Sequence, residues 1–238
     1  MTRWLAGGVG LAAAMYGTYV GVTWYRYGDA PPPNPEEQDP LLNRFMPSYE
    51  VAERHHVRVA APAAVTLAVA REVDLQASPV VRTIIRAREL ILGATPDDRP
   101  NPRGLLNEVQ SLGWGVLAEI PEREVVVGAV TKPWEANVTF RSLPPDQFAA
   151  FNEPGYVKIA WTIRAEPIGM TESLFRTETR AIATDPTART RFRRYWAFLS
   201  PGIIMIRWAV LGPVKNEAER RVRAAESAAQ TPSVHESH

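Results

Sequence analysis

Along residues 170–183 polar and apolar positions alternate, and directly after them the period changes. Thr171, Ser173, Phe175, Thr177, Thr179, Ala181 and Ala183 share one parity; Glu172, Arg176, Glu178 and Arg180 share the other, with Leu174 and Ile182 among them. A period of two predicts a β-strand with one covered face and one wet face. Asp185 then supplies a helix N-cap, and Pro186 a first helical residue whose missing N–H costs nothing. Phe192, Trp196, Leu199, Ile203, Ile206 and Val210 recur at steps of four and three, which draws one apolar stripe along a long helix. A stripe that broad needs a sheet to lie on. Pro201, between Ser200 and Gly202, predicts a kink or a restart within it.

Upstream, residues 49–60 read as a strand with His55, Val57 and Val59 on one face and His56 and Arg58 on the other. Pro62 opens a helix carrying Val65, Val69 and Val73. Ser78-Pro79 opens a second helix, which turns Val81, Ile84, Ile85, Ile91 and Leu92 inward and stops at Gly93. A polar loop covers 95–104, and 105–112 is a short helix. From 113 the period returns to two. Strands are predicted at 114–120 and 123–131, around a Pro121-Glu122 turn, and then at 137–143, 147–152 and 156–166. In the last of these Val157, Ile159, Trp161 and Ile163 face one way, and Lys158, Thr162 and Arg164 the other. The tail from Lys215 is rich in Glu, Arg and Ala and extends the final helix to about residue 229. Strands followed by a helix, with no βαβ alternation, predict an α+β fold with an antiparallel sheet.

The amino-terminal stretch has no period at all. Residues 4–25 are apolar and uncharged between Arg3 and Arg26, just long enough to cross a hydrocarbon core about 30 Å thick. Trp4 at one end and Trp24, Tyr25 and Tyr27 at the other suit the two interfaces. A cleaved signal would need an unusually long apolar region and lacks a small-x-small site; a buried helix is the third reading. We expect a retained single-span anchor in the cell membrane, with the domain on the extracytoplasmic side. Gly7, Gly10, Ala14, Gly17 and Gly21 line up as a small-residue stripe through which two copies would form a homodimer, although a Gly/Ala-rich span draws such a stripe by chance as well. Residues 29–47 form a proline-rich linker, whose Leu41, Leu42, Phe45 and Met46 either dock on the domain or lie at the membrane. The expected organisation is an anchor at 1–28, this linker, a folded domain at 48–214, and a helical extension with a frayed tail at 215–238.

Composition narrows the chemistry. The 238 residues carry 27 Lys+Arg against 26 Asp+Glu, so a net charge of +1 gives no whole-protein field for nucleic acid. The absence of cysteine removes disulfides, thiolate metal sites and cysteine nucleophiles. Adjacent His55 and His56 leave opposite faces of a strand and cannot share one metal, and His235 and His238 lie in the tail, so no metal and no cofactor is expected. Glu172 and Glu178 could form an acid/base pair, but their alternation with Arg176 and Arg180 fits cross-strand ion pairs. The arginines at 189, 191, 193 and 194 read either as a solvated helix face or as a contact for anionic headgroups.

Three pieces together resemble the START-like, or helix-grip, superfamily. They are His56-Val-Arg-Val-Ala-Ala-Pro-Ala-Ala-Val65, Phe148-x-x-Phe151 leading into Pro154-Gly155-Tyr156-Val157-Lys158, and Thr177-Glu178-Thr179-Arg180 entering the Asp185-capped helix. The resemblance, which spans about residues 49–214, implies a curved antiparallel sheet wrapping a long C-terminal helix, with an apolar cavity between them for a hydrophobic small molecule: a lipid, a sterol or a polyketide. No catalytic residue carries over. The residues expected on the facing surfaces are Trp161, Ile163, Phe175, Thr177, Phe192, Trp196 and Leu199, which either line such a cavity or fill it as a solid core. Membrane-anchored binding or transfer is the leading expectation. A cyclase- or hydrolase-type enzyme and an interaction scaffold with a filled core are the competitors.

Overall fold

The strand that opens the sequence reading lies inside the sheet rather than at its edge. The structure, a computed structural model, describes residues 2–95 and 102–230. It contains α1 (Thr2–Arg26), α2 (Pro40–Asn43), β1 (Val51–Val59), α3 (Ala63–Glu72), α4 (Pro79–Leu92), α5 (Leu105–Ser111), β2 (Gly115–Ile120), β3 (Glu124–Thr131), β4 (Phe140–Arg141), α6 (Pro145–Ala150), β5 (Val157–Pro167), β6 (Ser173–Ala183) and α7 (Pro186–Gln230). The strands form one curved antiparallel sheet in the order β1-β6-β5-β3-β2, with β4 paired to β3. The helix α7 crosses one face, beside α3, and this is the helix-grip arrangement. Asp185 caps it as predicted, accepting from the N–H groups of Thr187 and Ala188 at 2.8 and 3.1 Å.

Four features depart from the sequence reading. Residues 147–152 are largely helix, not strand: Pro145 stands in the first turn of α6, Asp146 favours the positive end, and Phe148 is the residue driven into the core. Ile91 is 69 % exposed, so the inward face of α4 is narrower than its apolar pattern and only Val81 of that helix is buried. The helix α7 runs unbroken through both Pro201 and Pro213. Finally, the sheet has no wet face along β6.

That last departure has a clear cause. Leu41, Leu42, Phe45 and Met46 pack onto the back of the sheet against Val126, Val130, Phe148 and Ala160. Arg180, on the charged parity of β6, is covered by them and is 1 % exposed. Its guanidinium donates to Glu178 at 2.8 Å, to Asn43 at 2.6 Å and to the carbonyl of Met46 at 2.8 Å, and it lies over the ring of Tyr49. The predicted ion pairing of this face is present: Arg54 meets Glu178, Arg176 meets Glu166 and Arg58 meets Glu172.

The same docking buries two carboxyls together. Asp39 accepts from the N–H of Leu42 at 2.7 Å and stands beside Glu124, which also accepts from Thr162 at 3.0 Å. Burial, reinforced by the hydrogen bond and the charge of Asp39, pushes Glu124 up to about 8. A folded-state value above the unfolded one means that the native state holds the extra proton, so its stability falls as pH rises from about 4.5 to about 8. Thermal melts across that window should show the decline, and Glu124→Gln should flatten it. An unchanged slope in the variant would remove Glu124 as its source.

The helix α1 lies along the first half of α7. Tyr16 donates to the carbonyl of Phe198 at 2.6 Å, Tyr19 meets the Ser200 hydroxyl at 2.9 Å, and Arg193 donates to the carbonyl of Trp24 at 2.9 Å. The positions of Gly10, Gly17 and Gly21 face open space. By length and composition α7 is also apolar enough to cross a membrane, yet it is the helix that the sheet grips.

Candidate functional site

Strand register places the inward side chains in rows. One row across the sheet is Glu53, Thr179, Trp161 and Val127; the next is His55, Thr177, Ile163 and Val125; Val57, Phe175 and Ala165 follow. Towards the amino-terminal half of α7, Phe192 and Trp196 pack with Tyr27, Val51, Val157 and Ala181 into a closed cluster. Towards the middle, the space under α7 does not close.

That space is a cavity of about 170 Å³. The sheet contributes Trp161, Ile163 and Thr177, and α7 contributes Ile203, Ile206, Arg207 and Val210. Leu75, Leu105, Val109 and Trp114 close the remaining side, the indole of Trp114 standing edge-on to that of Trp161 at 6.4 Å between centroids. A cavity of roughly 150 Å³ lined by apolar side chains stays dry and takes up a single aromatic ring.

Three charged or titratable groups belong to this face. The Arg207 guanidinium lies over the ring of Trp161, 5.1 Å from its centroid. Burial lowers its pKa to about 10, against the opposing pull of Glu53. No carboxylate among the described residues comes within 4.0 Å of it. Glu53 is raised by its own burial, with Arg207 and Arg54 opposing. His55 is lowered by burial first, then by Arg207 and His56, so that it is held neutral. Its Nε2 lies 3.8 Å from the Glu53 carboxylate, and its ring is tilted against Trp208, 5.4 Å between centroids. His55 Nε2 and the Thr179 hydroxyl are both buried without a hydrogen-bond partner.

The structure brings together three of the seven residues expected at the site: Trp161, Ile163 and Thr177. Phe175 is buried one row away in the main core, Phe192 and Trp196 belong to the closed cluster, and Leu199 is half-buried outside both. Sequence reasoning missed Glu53, His55 and Arg207. The available signal was parity: Glu53 and His55 share the parity of Val51, Val57 and Val59, and Arg207 follows Ile203 by four and precedes Val210 by three. His56 points to the opposite face from His55. His235 and His238 lie outside the described residues.

No family model and no curated protein matches the chain. Among solved structures it is similar to the Zhui aromatase/cyclase of Streptomyces sp. R1128, with 17 % identity over 74 % of this chain and 97 % of that one and a TM-score of 0.25. It is also similar to a norcoclaurine synthase of Thalictrum flavum, with 11 % identity over 72 % and 95 % and a TM-score of 0.35. A third is the di-domain ARO/CYC BexL, with 15 % identity over 71 % and 46 % and a TM-score of 0.24. At these scores the likeness carries no weight for the site, and the helix-grip reading rests on the strand order and on α7 crossing the sheet.

Proposed function

We propose that this domain binds a compact hydrophobic molecule in the cavity between the sheet and α7, and that α1 holds it at a membrane. One observation carries the binding reading: a space of about 170 Å³ between the sheet and α7, partly open to solvent and walled by nine apolar side chains, Thr177 and Arg207. Protein interiors are packed nearly as densely as organic crystals, so a gap of this size lowers stability unless something occupies it. Its volume favours one ring or a short chain over a whole sterol or a two-chain lipid. The membrane part is supported by the uncharged stretch from Trp4 to Tyr25 and by Phe198, Met205 and Trp208, which stand exposed on α7.

The test is mass spectrometry of small molecules released from the full chain purified in mild detergent. An apolar compound recovered at near-stoichiometric level is expected. An empty protein that also fails to take up indole or phenylacetate would remove the proposal. Alkaline carbonate should leave the chain in the membrane fraction, and its release would remove the anchor.

A second reading, cyclase-type chemistry on a hydrophobic substrate, is favoured by neutral His55, in the same row as the cavity residues Thr177 and Ile163, whose buried Nε2 has no hydrogen-bond partner and is free to accept a proton. His55→Ala separates the two. A carrier keeps its bound compound, whereas an enzyme keeps binding and loses turnover.

A further inference from the structure

Arg207 is the one cavity residue that a neutral ligand leaves unexplained. It sits half-buried in the apolar stripe of α7, where leucine or methionine would pack at lower cost, since a guanidinium drawn partly out of water without a counter-charge is destabilising. Its flat face is covered by Trp161, but no hydrogen bond links its five N–H donors to any described residue. Glu53, the nearest carboxylate of the opposite row, stays beyond 4.0 Å. The Thr179 hydroxyl, in the same row as Glu53, is also buried and unpartnered. An unmatched planar fork at the wall of an apolar space complements one chemistry best: a planar anion attached to a small hydrophobic body.

We propose that the ligand is a carboxylate, its two oxygens taken by the Arg207 fork and its apolar body lying against Trp161, Trp114 and Ile163. This rests on the binding reading above and names the class of ligand. The cavity volume limits that body to about one ring or a short alkyl chain. Sulfate- or phosphate-bearing ligands can meet the same fork bidentately, but their larger tetrahedral head occupies more of a narrow space.

Calorimetry on the full chain in lipid nanodiscs tests it with matched pairs: phenylacetate against 2-phenylethanol, and hexanoate against 1-hexanol. The acid of at least one pair should bind about tenfold or more tighter than its alcohol, and the winning pair tells an aromatic source from an alkyl one. Arg207→Met should bring the acid down to the alcohol while leaving the alcohol within about threefold. Because it removes a half-buried charge without a counter-ion, the same variant should melt no lower than the parent without ligand, which a purely structural arginine would not allow. Arg207→Lys should retain part of the preference for the acid, as charge without the fork. Equal binding of acid and alcohol, or undiminished acid binding in Arg207→Met, overturns the carboxylate assignment and leaves the cavity reading standing. Failure of both pairs and of indole removes the cavity reading itself.

Discussion

Glu178→Ala should lower unfolding stability by about 3–5 kcal/mol, measured by urea titration. Glu178 is the shared counter-charge of two arginines, at 2.8 Å from Arg180 and 2.9 Å from Arg54. Arg54 retains the Tyr49 hydroxyl and some solvent, so its loss is modest. Arg180 has no such outlet: it is 1 % exposed and would keep only the neutral acceptors Asn43 and Met46. A charge buried without a counter-ion is among the few changes that cost this much. Replacing the pair together, as Glu178→Leu with Arg180→Met, should cost less than the single change, because only Arg54, which keeps the Tyr49 hydroxyl and some solvent, then loses its counter-charge. The single variant should also free residues 39–46 from the sheet, visible as new proteolysis there. A loss below about 1 kcal/mol would mean that water already reaches Arg180 and that the segment is not docked.

How much of this was legible in the sequence follows from the range of the forces. The strands and α7 were readable because one face of each meets the core, and a buried face writes its period of two or 3.6 into the chain. The back of β6 was not, because Glu178 and Arg180 carry the same alternation whether they meet water or Met46 and Asn43. Leu41 and Met46 signal burial but not where, since their partners Val126 and Ala160 lie far along the chain. In residues 147–152 Phe148 and Phe151 stand three apart, a helical rather than a strand spacing, and the Pro144-Pro145 step starts α6 just before them. At the site, Trp161, Ile163 and Thr177 were found from β5 and β6 alone. The wall made by Leu75, Leu105, Val109 and Trp114 comes from segments with no local sign of meeting there. In the sequence Arg207 is a single charge set within the apolar run 203–211, and only the sheet beside it shows that the charge faces inward.

Trp161→Ala should cost about 3–5 kcal/mol and widen the range of ligands that bind. Trp161 is 3 % exposed at the centre of the sheet, flanked in register by Val127 and Thr179, with Trp114 edge-on to its ring and Arg207 across its face. Truncation removes a large buried surface, and the space joins a cavity that is already present, so the neighbours gain little by collapsing. Arg207 loses its cation–π partner in the same change. Trp161→Phe keeps a ring against Arg207 and should cost about 1–2 kcal/mol, so the series Trp, Phe, Ala orders both stability and pocket size. Calorimetry with 1-naphthylacetate, which is larger than the parent cavity accommodates, should show binding to the alanine variant and little or none to the parent. If α7 were held away from the sheet, Trp161 would already border solvent: the alanine change would then cost well under 1 kcal/mol, and the bicyclic acid would not distinguish the two proteins.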